Sequence, residues 1–81
     1  MEQQAMLKLR EFWQKIDQYF LADGEINHGS PGYQGYVSEC LEFGIKLSQI
    51  GSVEDYVINQ HYMTRGYYYS IPEEIQAVFS E

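Results

Sequence analysis

Residues 2–21 constrain the fold most. In EQQAMLKLREFWQKIDQYFL, the residues Ala5, Met6, Leu9, Phe12, Trp13, Ile16, Tyr19 and Phe20 recur at three- and four-residue intervals, and no Gly or Pro interrupts them. That spacing lays the apolar side chains along one broad stripe of a helix and leaves Lys8, Glu11, Lys15 and Gln18 on the other face. Such a stripe must be covered by a second layer. A chain of 81 residues has room for one core, so the reading is a single domain, residues 1–81, with this helix as its main wall.

The segments that follow must supply the cover. Ala22 to Gln34, ADGEINHGSPGYQ, reads as a long loop because Asp, Gly, Asn, Ser and Pro cluster in it. Residues 36–50 fit two periods. Val37, Cys40, Leu41, Gly44 and Leu47 share a helix face, whereas Leu41, Phe43, Ile45 and Leu47 alternate as a strand would. Length favours the helix, as does Ser30-Pro31 as an N-cap and first-turn pair, although Gly32, Gly35 and Gly44 place its start nearer Tyr36. Gly51 is read as the end of that element and Ser52 to Asp55 as the capping box of the next, which runs to about Thr64 with Gly66 beyond it. Tyr67 to Tyr69 are read as an extended connector. Ser70 to Glu73 is read as a second capping box, opening a last helix with Ile75, Val78 and Phe79 on its apolar face. The fold class expected is mainly α, a small bundle of three to four short helices. The alternative is α+β, with a small antiparallel sheet formed by residues 36–50 and 66–71.

Charge narrows the partners. The net charge is −7, and it is uneven: residues 1–15 carry +1 and residues 16–81 carry −8. Phosphate backbones and anionic membranes both require basic surface, so direct nucleic-acid or membrane binding is not expected. The field favours a basic protein as partner. One cysteine, Cys40, excludes an intrachain disulfide, and the N-terminal run lacks the apolar core of a signal peptide. The setting expected is cytoplasmic.

Motifs for catalysis are weak. His28 and His61 stand apart with no metal-ligand spacing, and no metal or cofactor is expected. The DGEI of Asp23 to Ile26 matches part of a calcium loop. In that register, however, Tyr19, Leu21 and Ser30 occupy the first, third and twelfth positions, where oxygen ligands are needed. Cys40 lies on an apolar stripe and reads as a buried thiol. Gly32 and Gly35 have no basic residue beside them to hold a phosphate. The carboxylate pairs Glu39 with Glu42, Glu54 with Asp55 and Glu73 with Glu74 read as helix surface and helix starts. The chain is therefore expected not to be an enzyme.

The tyrosines carry more. Tyr62 and Tyr67 to Tyr69 gather beside Arg65 and ahead of Glu73 and Glu74. In an extended segment Tyr67 and Tyr69 would point one way and Tyr68 the other, so one side packs inward and the other meets solvent or a partner. Tyr and Arg dominate interface hot spots because each joins contact area to a hydrogen-bonding tip. In size, charge and the run YYYSIPEE, Tyr67 to Glu74, the chain resembles small acidic inhibitor proteins such as bacteriocin immunity proteins, phage anti-CRISPR proteins and anti-restriction DNA mimics. The expectation is a non-enzymatic module that covers a basic, nucleic-acid-handling surface of another protein. Glu54, Asp55, Glu73 and Glu74 would supply the field, and Tyr62, Arg65, Tyr67, Tyr68 and Tyr69 the anchors. The alternative is a small structural or assembly subunit, or a homodimeric adaptor.

Overall fold

Glu2 opens the first helix. Its carboxylate accepts hydrogen bonds from the backbone N–H groups of Gln4 and Ala5 at 2.9 and 3.2 Å, which satisfies two orphan donors of the first turn. In the computed structural model, which describes residues 2–62 and 66–80, helix α1 spans Gln3–Lys15 and tightens into a 3-10 turn over Ile16–Tyr19. Ala5, Leu9, Phe12 and Ile16 are buried, and Met6, Trp13, Tyr19 and Phe20 pack half-buried against them. The stripe expected from the sequence is the wall of the core.

A tight loop reverses the chain after α1. Leu21 N–H donates to the Glu25 carbonyl and Asn27 N–H to the Tyr19 carbonyl, each at 2.7 Å, and a lone bridge joins Phe20 to Ile26. Gly24 makes the reversal, at φ +84°. Helix α2, Pro31–Glu42, starts at the proline with Ser30 at the N-cap position, as the Ser30-Pro31 pair indicates, and not nearer Tyr36 as the glycines suggest. Pro31 needs no N–H partner in a first turn. Gly32 is placed there by close packing, since a Cβ at this position would come within 2.7 Å of the Tyr19 hydroxyl.

The expected single element over residues 36–50 is broken in two. Gly44, at φ +83°, donates to the Leu41 carbonyl at 3.0 Å, and Ile45 donates to the Cys40 carbonyl at 3.1 Å. This is the Schellman pattern, with Gly44 at C′ and the buried Ile45 and Cys40 at the two ends of the longer bond. Helix α3 then runs over Leu47–His61, through Gly51. Gly51 is therefore not a terminator, and Ser52 is not a cap: its hydroxyl donates to the Ser48 carbonyl one turn back. The anchor of α3 is its buried face of Ile50, Val53 and Val57, which outweighs the cost of about 1 kcal/mol for an interior glycine.

The end of the chain closes the core. Helix α4, Glu73–Gln76, has Pro72, not Ser70, at its N-cap position, with no side-chain cap, and continues as a 3-10 turn over Ala77–Phe79. Ile71, Ile75 and Val78 are buried. Phe79 is wedged between Trp13 of α1 (edge-on, 5.2 Å) and Tyr56 of α3 (stacked, 3.8 Å). Arg10 fixes the same corner, its Nε and Nη2 each 2.9 Å from the carbonyl oxygens of Val78 and Ala77. The result is a mainly α globule of four helices in which α1 packs on α2, on α3 and on the last turn. No strand occurs among the described residues, so the sheet proposed for residues 36–50 and 66–71 is not formed. No helix among them is long and apolar enough to cross a membrane.

Candidate partner-binding surface

The Tyr-rich stretch is a turn, not an extended connector. Gly66, at φ +81°, leads into a 3-10 turn over Tyr67–Ser70, with Tyr69 N–H donating to the Gly66 carbonyl at 3.2 Å. With three residues per turn, consecutive side chains fan out in three directions instead of alternating between two. Tyr67 is half-buried and faces Asp55; burial first, and then that carboxylate, raise its phenol above the ordinary value. Tyr68 lies edge-on to Tyr56 at 6.1 Å and donates to the Gln76 carbonyl at 3.4 Å. Tyr69 points away, 84% exposed, with only the edge of Tyr68 against it at 5.7 Å. The expected pairing of Tyr67 with Tyr69 on one side is thus replaced by two seated rings and one free ring.

The acidic residues divide in the same way. Glu73 and Glu74 are exposed at the start of α4, where the helix dipole favours carboxylates. Gln49 Nε2 reaches Glu74 at 3.2 Å and ties α4 to α3. Asp55 is exposed on α3. The turn touches both helices, through Tyr67 against Asp55 of α3 and through Tyr68 against Gln76 of α4.

Glu54 belongs elsewhere. Its side chain is 16% exposed, and one of its oxygens, Oε2, is met by both the Tyr33 hydroxyl and His28 Nε2, the latter at 2.8 Å. The His28 ring also stands edge-on to Tyr33 at 5.2 Å. Tyr33 is buried, and burial followed by the bond to Glu54 pushes its phenol well above the ordinary value. This cluster locks the loop before α2 onto α3. Tyr62 is engaged in the same loop, its hydroxyl donating to the Asp23 carbonyl at 3.0 Å across Gly24, whose missing Cβ leaves room for it. Arg65 lies outside the described residues.

Sequence reasoning missed Tyr33 and His28, whose partner is 21 and 26 residues away. It also missed Lys8, read as solvated but spanning α1 and α2. The Lys8 ammonium lies 2.6 Å from Glu39 and 3.6 Å from Glu11, and the hydrogen bond to Glu39 leads the causes that raise its pKa. Comparison of the chain with protein-family models, with curated proteins and with solved structures gives no match.

Proposed function

We propose that the chain is a non-enzymatic, acidic protein-binding module that inhibits its partner by covering a basic, nucleic-acid-handling surface, as phage anti-defence proteins, DNA mimics and immunity proteins do. The observation that carries this reading is Tyr69, a large ring 84% exposed on a turn whose neighbours are held in place. A tyrosine has only two side-chain torsions to fix when a partner covers it, which makes it an efficient anchor. Asp55, Glu73 and Glu74 supply the charge that speeds encounter with a basic surface. A cytoplasmic setting belongs to the same reading, supported by the one cysteine, buried at Cys40.

Affinity capture from a bacterial lysate with the intact chain and with Tyr69→Ala tests the proposal. The expected outcome is a basic, nucleic-acid-binding protein that is released by salt, displaced by duplex DNA, and lost from the variant. Capture of the same protein by both forms would remove Tyr69 as the anchor. A captured protein indifferent to salt and to DNA would remove the inhibitor reading.

A further inference from the structure

A second surface lies on the other side of α1. Leu7 (51% exposed) and Phe43 (46% exposed) come from different helices yet line one shallow groove with Gln4, Lys8 and Glu11. Phe43 caps α2 immediately before the left-handed Gly44, so the turn that ends the helix holds its ring at the α1 boundary, outside the core. Lys8 lies over that ring, 5.6 Å from its centroid, while bound to both Glu39 and Glu11. The one cation of the groove is thereby neutralised. Each glutamate keeps about half of its side chain in solvent, 50% for Glu11 and 52% for Glu39.

We infer that this groove docks a short basic amphipathic segment of another protein, whose apolar side chain enters between Leu7 and Phe43 while flanking Lys or Arg residues meet Glu11 and Glu39. Charge decides the occupant. Groove and rim together carry −1 on a chain of −7, so an apolar segment bearing cations gains from both terms. A second copy of this chain would bring another −7 against the same acidic rim. This surface is separate from the tyrosine turn, and the inference does not depend on that reading.

The test is titration of ¹⁵N-labelled chain with a synthetic helical peptide of alternating Leu and Lys faces, and with a Leu/Glu peptide of equal length. The expected result is amide shifts concentrated in Gln4 to Glu11 and Glu39 to Gly44, saturating for the basic peptide only. Leu7→Ala with Phe43→Ala should weaken that binding by about tenfold. Both side chains are exposed and the variant keeps the net charge, so a loss reads the groove and not the overall field. Glu11→Gln should reduce the salt dependence while leaving the apolar contact. Shifts confined to residues 66–76, equal binding by the Leu/Glu peptide, undiminished binding by the double variant, or absence of binding would each overturn the inference.

Discussion

Glu54 and Asp55 are adjacent on α3 and bear the same charge, yet they have opposite surroundings. Glu54 turns toward the loop before α2, where Tyr33 and His28 converge on one oxygen. Asp55 stands in solvent beside the tyrosine turn. A helix rotates successive side chains by about 100°, enough to send neighbours to different flanks. One flank is a hydrogen-bonded cluster that ties the loop and α2 to α3. The other is an open rim around Tyr69. The lesson is that formal charge and accessible charge differ: the Glu54 side chain is 16% exposed, whereas Asp55 stands in solvent.

Alkaline pH loads both flanks and the core at once, and this is the largest effect expected. The thiol of Cys40 is pushed from 9.0 up to about 11 by burial, and the Tyr33 phenol is raised above 10.0. In both cases the fold favours the protonated form. Below pH 9.0 folded and unfolded chains alike keep these protons, and the contribution to stability is complete. Above it the unfolded chain releases protons that the folded chain retains, so stability falls, first through Cys40 and then through Tyr33 and Tyr67. Urea midpoints measured from neutral pH upward should hold steady and then drop beyond pH 9.0, and Cys40→Ala should delay the drop.

Substitutions then sharpen the comparison. Glu54→Ala leaves the buried Tyr33 hydroxyl without its acceptor and should cost about 2 kcal/mol, a fall in Tm of about 10 °C by calorimetry. Tyr33→Phe keeps the ring and removes only the hydrogen bond; about 1 kcal/mol is expected in urea unfolding. Asp55→Ala and Tyr69→Ala, on the open flank, should each move stability by less than about 0.5 kcal/mol. A stability loss from Asp55→Ala equal to that from Glu54→Ala would erase the distinction between the flanks.

Particular residues show how far the sequence could be read. The stripe of α1 was legible because eight apolar residues repeat with one period and nothing interrupts them. The last helix face, Ile75 with Val78, was legible for the same reason. The break between α2 and α3 was not. Gly44 and Gly51 look alike in sequence, and only the core decides which one ends a helix: Gly44 takes positive φ with Ile45 buried behind it, while Gly51 lies between the buried Ile50 and Val53. The tyrosine turn was read as extended because its geometry depends on Gly66 reversing the chain. Glu54 looked like Asp55 because its partners come from the loop and α2, and no local pattern announces a contact across 21 or 26 residues. Of the candidate surface, an exposed ring and the acidic start of α4 could be anticipated. Which tyrosine stays free could not.

The Arg10 clamp bears on how the chain reaches this structure. Its guanidinium holds carbonyls 67 and 68 residues further along, and Phe79 fills the space beside Trp13. Helix α1 therefore has part of its cover far along the chain, in residues that are made well after it. Until residues 71–79 emerge, the apolar stripe of α1 has no complete cover, and docking them closes a long loop. A nascent chain stalled before Ile71 should bind hydrophobic-surface dyes and chaperones. One extended past Phe79, clear of the exit tunnel, should bind neither.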